Sequence, residues 1–117
     1  MSDIHLDHSV LSALRDVMED EFTVLLDTFL ADSVERLRQI QQALAASDSQ
    51  TLRLAAHSFK GSCSNMGAPV LSGLCKQLED IARREQLADA PALIRQIEEE
   101  FLVVCSLLQE ERQGQKR

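Results

Sequence analysis

A histidine with a lysine three residues later and a glycine four residues later stands in the stretch LRLAAHSFKGSCSNMG, residues 52–67. A neutral imidazole, with an ordinary pKa of about 6.5, is nucleophilic through its free ring nitrogen and needs no general base. On a helix, Lys60 neighbours His57 and can reach an anion bound at the ring. A phosphohistidine would carry about two negative charges, and Lys60 could balance part of them. Gly61 removes a side chain from the spot beside the imidazole. Glycine in a helix interior costs about 1 kcal/mol relative to alanine and needs a reason, and a close-approaching partner is one. Leu54, about 60° around the wheel from His57, is a large apolar residue on the solvent side and suggests a small docking patch. The second ring nitrogen needs a partner to fix the tautomer. Reflecting the helix about Gly67 puts positions near Gln77 and Glu79 level with His57, and one of them could accept that hydrogen bond.

The helix that must present these residues has two faces. Leu52, Ala55, Ala56, Phe59, Cys63 and Met66 fall within about 60° of one another, an apolar stripe that wants a core. His57 lies about 160° from Phe59, with Gly61 and Ser64 on its side and Arg53 and Lys60 flanking. The segment begins after Ser47–Asp48–Ser49, where Ser47 with Gln50 fits a capping box and Asp48 is an equally good N-cap, and Gly67 suits the C′ position.

Four further segments show helical periodicity. Leu6, Val10, Leu11, Leu14 and Val17 recur at helical spacing around a cap at Asp7 and predict a short helix over about 7–17. His5 and His8, at its start, read as solvated. After a break at 18–20, with Asp20 as a candidate cap, Phe22, Leu25, Leu26, Phe29, Leu30, Ser33/Val34, Leu37, Ile40 and Leu44 mark a long amphipathic helix. Ala68–Pro69 starts another, buried through Leu71, Leu74, Cys75, Leu78, Ile81 and Ala82, and ending at Arg83–Arg84–Glu85. Asp89–Ala90–Pro91 caps the last, whose stripe is Leu93/Ile94, Ile97, Phe101, Val104/Cys105 and Leu108. Glu98–Glu99–Glu100 reads as a solvated face. No stretch alternates with period two. Short loops between long amphipathic helices predict an all-α fold, an antiparallel up-down four-helix bundle whose short N-terminal helix caps one end. The expected domain is the whole chain, 1–117, with the bundle over about 7–110 and 111–117 as a frayed tail.

Composition narrows the function. Aromatics make up 3%, without Trp or Tyr, which disfavours an aromatic-lined substrate pocket, and a net charge of −7 argues against nucleic acid as partner. Cys63, Cys75 and Cys105 fit neither a disulfide framework nor a zinc site and read as reduced thiols. No signal peptide and no membrane span is legible, so a cytoplasmic location and no membrane partner are expected. There is no G-x-x-x-x-G-K-[ST] and no G-x-G-x-x-G after a strand. The chain therefore has no nucleotide site for taking phosphate from ATP, and no enzyme activity is expected of it alone. It needs no cofactor of its own: phosphate, and any Mg²⁺ for its transfer, would come from a partner's active site. A metal or haem bundle would need inward ligands on facing helices, and no E-x-x-H pair exists.

The run Ala56–His57–Ser58–Phe59–Lys60–Gly61–Ser62–Cys63–Ser64–Asn65–Met66–Gly67 resembles the signature of histidine-containing phosphotransfer (HPt) domains, A-H-x-Φ-K-G closing with a glycine, where Φ is apolar. The flanking Leu52–Arg53–Leu54–Ala55 and the acidic, Leu-rich preceding helix are similar too, and the resemblance covers roughly Asp7 to Leu108. It implies that His57 accepts a phosphoryl group from a receiver-domain aspartate, typically in a hybrid sensor kinase, and passes it to an aspartate on a response regulator. By the same match Lys60 would steady the phosphate, Gly61 would give the receiver room, Ser64 would line the site, and Phe59 would be core. Arg53, Leu54 and Ser58 would lie on the docking face. Family members often have Gln where this chain has Glu79. A carboxylate there polarises the imidazole more strongly and repels the incoming phosphate. The rival expectation is a helical-bundle adaptor that carries no phosphate and binds a signalling partner by its Leu54/His57 face; the weak helix position at Gly61 speaks against it. The core closes without a second chain, so a monomer is expected.

Overall fold

The computed structural model describes residues 4–115. Five α-helices follow one another: α1 (His8–Met18), α2 (Phe22–Ala45), α3 (Ser49–Asn65), α4 (Pro69–Arg83) and α5 (Ala90–Gln115). Among the described residues there is no strand. Helices α2, α3, α4 and α5 pack in a closed ring, α2 on α3, α3 on α4, α4 on α5 and α5 on α2, with α3 against α4 the most extensive seam. This is the antiparallel four-helix bundle that the periodicity predicts, with α1 across one end.

The core follows from the stripes. Phe22, Leu26, Phe29 and Ile40 of α2, Leu52, Ala56, Phe59 and Cys63 of α3, Leu71, Cys75 and Leu78 of α4, and Ile97, Phe101, Val104 and Leu108 of α5 are all buried. The rings of Phe59 and Phe101 meet edge to face, centroids 6.3 Å apart and planes at 71°. Phe59 thus fixes the rotation of α3 from the inside, and with it the face that carries His57. Where the wheel left Ser33 and Val34 open, Ser33 is buried and Val34 is exposed.

Caps set the helix ends. Asp7 accepts from the Ser9 backbone N–H at 3.0 Å and Asp48 from that of Thr51 at 3.0 Å, which settles the second cap as Asp48 rather than Ser47. Asp20 caps nothing: a single 3₁₀ turn at Glu19–Glu21 leads straight into α2, whose N-cap Glu21 makes no side-chain bond. Gly67, at φ +77°, closes α3, and its carbonyl accepts from the Asp7 backbone N–H at 2.7 Å. The entry to α1 is thereby fastened to the α3–α4 turn.

Three expectations need correcting. Val17 is 80% exposed, because it lies on the side of α1 turned away from the core, against which Leu14 and Met18 pack. His5 and His8 are not merely solvated: His5 Nδ1 lies 2.7 Å from Glu100 Oε2, and His8 Nδ1 lies 3.2 Å from Glu111. Glu100 accordingly leaves the solvated acidic run and is buried. Helix α5 runs on to Gln115, and Arg112 bonds Asp27 of α2; residues 116–117 lie outside the described residues. Cys63, Cys75 and Cys105 are free, the first two buried and the third half-buried. Contact with the Cys75 thiol, together with burial, pushes the Cys63 thiol far up and keeps it unreactive.

Candidate functional site

The site is built on the α3–α4 seam. His57 sits on the outer face of α3 with a side chain 62% exposed, as the wheel predicts. Its Nδ1 lies 2.9 Å from Glu79 Oε2 of α4. Glu79 is 4% exposed, an unusual state for a carboxylate that requires partners. It has three. Besides His57, Lys60 Nζ donates to Oε1 at 2.8 Å and Arg83 Nη2 to Oε2 at 3.3 Å. The Lys60 hydrogen bond first, and then that of His57, hold the Glu79 carboxyl below the ordinary glutamate range despite burial.

The protonation pattern follows. An ionised carboxylate only accepts, so Nδ1 of His57 carries the proton and donates it. A neutral ring with its proton on Nδ1 has its lone pair on Nε2, the nitrogen away from Glu79. The arrangement offers solvent a single nucleophilic atom whose tautomer is fixed by a buried anion.

Of the two expected orienting residues, Glu79 meets the ring and Gln77 does not: it stands exposed on α4. Two positions along a helix are about 200° apart, so the one that faces α3 turns the other outward. Gly61 is open, and a Cβ built there would meet no atom within 4 Å. Nothing inside the protein therefore demands glycine at that position. Ser64 Oγ pairs with Ser72 Oγ at 2.7 Å across the seam, and Ser72 Oγ also donates to the Lys60 carbonyl at 3.3 Å. Lys60, Ser64, Ser72 and Lys76 line an open groove beyond the lysine. On the other side of His57, Leu54 is 52% exposed, Arg53 is half-buried, and Ser58 accepts from Arg36 Nε at 3.0 Å. Of the nine expected site residues, seven thus lie on α3 and Glu79 on the facing side of α4, while Gln77 is on the outward side of α4.

Two residues escaped the sequence reading. Arg83 had a signal, standing four residues after Glu79 on the same helix. Arg36 had none, because it reaches Ser58 from α2 and the relative rotation of two helices is not written in either one's periodicity. Among the described residues no group of three or more His, Cys, Asp or Glu side chains converges as a metal site, and no helix is long and apolar enough to cross a membrane.

A four-helix bundle presenting an exposed, tautomer-locked histidine beside a lysine and an open glycine is the architecture of a histidine phosphotransfer domain, and the chain belongs to the Hpt domain family, which it matches over residues 24–110. It is 58% identical to histidine-containing phosphotransfer protein B (HptB) of Pseudomonas aeruginosa PAO1, over 97% of this chain and 98% of that one, with a TM-score of 0.93. The HPT domain of the Hpt sensor hybrid histidine kinase from Shewanella shares the fold, with a TM-score of 0.77 at 22% identity over 96% of this chain and 97% of that one. The sensor protein TorS of Escherichia coli (strain K12) is 41% identical over 51 residues, 44% of this chain and 6% of TorS. The chain therefore spans a small fraction of that relative's length. The fold expected from the periodicity and the family expected from the A-H-x-Φ-K-G stretch are both borne out.

Proposed function

We propose that this chain is a phosphorelay carrier: Nε2 of His57 takes a phosphoryl group from a receiver-domain aspartate of a hybrid sensor kinase and gives it to an aspartate of a response regulator. The observation that supports this most is the bond from His57 Nδ1 to the buried Glu79, which leaves Nε2 free at the surface. In the forward step the Nε2 lone pair attacks phosphorus, the P–O bond of the acyl phosphate breaks, and the receiver's carboxylate leaves with the electron pair. Lys60, one turn from His57, neutralises part of the arriving charge, and Mg²⁺ comes with the receiver. Gly61 lets the receiver's backbone approach, Ser64 lines the site, and Arg53, Leu54 and Ser58 form the docking rim. The chain carries phosphate without a nucleotide site of its own and works as a monomer in the cytoplasm.

Radiolabelled phosphate transferred from phosphorylated receivers of the source genome tests this. Label should appear on the chain in acid-labile, base-stable form, should not appear with ATP alone, and should vanish in His57→Gln. Label retained by His57→Gln would overturn the assignment. An adaptor would instead signal normally with His57→Gln and fail with Leu54→Asp.

A further inference from the structure

Glu79 is a carboxylate that both touches the reacting ring and is itself locked in place. Its partners come from the two helices of the seam: Lys60 and His57 from α3, and Arg83 from α4. Arg83 is shared with Asp80, which also takes Lys76. Three cations and two carboxylates therefore form one ion-pair network along the seam, and one of those carboxylates, Glu79, lies directly against Nδ1 of the ring.

Phosphorylation changes what that contact does. Once Nε2 bonds phosphorus, a ring that keeps its proton on Nδ1 is a cation. When the N–P bond of this form breaks, the electron pair returns to Nε2 and the ring departs as neutral imidazole, its proton never having moved. A phosphorylated ring that has lost the Nδ1 proton must instead leave as an imidazolate, a far poorer leaving group. We infer that Glu79 is a positioning residue for phosphoryl release: its fixed negative charge retains the Nδ1 proton on phosphorylated His57 and keeps the phosphoryl group transferable to higher pH. This deepens the carrier reading above and rests on it. A glutamine would accept the same hydrogen bond without the charge, so orientation alone does not distinguish the two residues, whereas charge does. Lys60 acts in opposition, since its ammonium occupies Oε1. A phosphoryl group on Nε2 competes for that ammonium and so leaves more of the carboxylate's charge to the ring.

The full chain treated with phosphoramidate provides the test. Nε2 displaces ammonia from phosphorus, the P–N bond of the reagent breaking as the new one forms, and ³¹P NMR follows loss of the phosphohistidine signal from pH 5 to 9. In the parent the fast, protonated-ring rate should persist to a pH about one unit or more above its limit in Glu79→Gln, the expected size for an opposite charge in contact. Should Glu79→Gln not fold, Glu79→Asp against Glu79→Asn carries the same comparison of charge at constant shape. Superimposable pH profiles in parent and variant would overturn the inference and leave the carrier reading standing. Absence of any phosphohistidine at His57 in the parent would instead strike the carrier reading itself.

Discussion

At the scale of single residues, the glycine beside the histidine separates what the fold needs from what a visitor needs. A methyl group at Gly61 would touch nothing in the protein. Gly61→Ala should therefore raise stability by about 0.5–1 kcal/mol in urea unfolding, through the better helix propensity of alanine. On the carrier reading proposed above, the same methyl would stand where the receiver comes close, and phosphoryl transfer from a receiver should slow by about tenfold, equivalent to about 1.4 kcal/mol. A variant that is both more stable and equally fast would remove the docking role from Gly61. Most of this site was legible because it lies on one helix, where a wheel places every residue relative to Phe59. Glu79 was legible in part, by reflection through the Gly67 turn, which gave the level on α4 but not the choice between positions 77 and 79. That choice is a matter of helix rotation, and rotation is decided by packing of Leu71, Cys75 and Leu78 rather than by any polar signal.

At the scale of elements, the α3–α4 turn does two jobs. Gly67 sits at φ +77°, and an added Cβ would come within 2.9 Å of Val10 Cβ and 3.3 Å of the Asp7 carbonyl oxygen. Gly67→Ala should therefore combine backbone strain with a clash against α1, and lower stability by about 1–3 kcal/mol in chemical denaturation. A loss under about 0.5 kcal/mol would mean that α1 yields easily and does not brace the turn. The helices themselves were readable from apolar spacing, and the N-caps from Asp7 and Asp48. The short elements were not: the 3₁₀ turns at Glu19–Glu21 and Leu87–Asp89 have no period to detect. The course of the N-terminal segment was equally hidden, since His5 meets Glu100 across 95 residues of sequence and such pairings leave no local trace.

At the scale of the whole molecule, several carboxylates are held in their charged form by the fold. Asp7 and Asp48 are lowered first by the hydroxyls of Ser9 and Thr51 and next by backbone N–H groups, Glu35 first by Arg38, and Glu79 first by Lys60. A carboxyl whose folded value is depressed stabilises the fold fully above its ordinary value, 3.8 for Asp and 4.5 for Glu here, and loses that contribution as pH falls through the lower folded value. These groups should leave the melting temperature level above about pH 5 and depress it progressively below about pH 4, as differential scanning calorimetry would show. A melting temperature that climbs on acidification through that range would contradict the assignment. The net charge of −7 works in the opposite sense, since protonation relieves self-repulsion, so the fall measures the paired carboxylates against that relief.

The exposure of the His57 ring, 62% of its side chain, has a consequence for time as well as for access. A surface that lets any matching receiver reach Nε2 lets water reach it too. On the carrier reading proposed above, a phosphoryl group on that ring is equally open to attack by water at phosphorus, so its lifetime is bounded by hydrolysis of the N–P bond. On that same reading, the reach of the signal is the distance a small acidic protein diffuses before its phosphoryl group is lost.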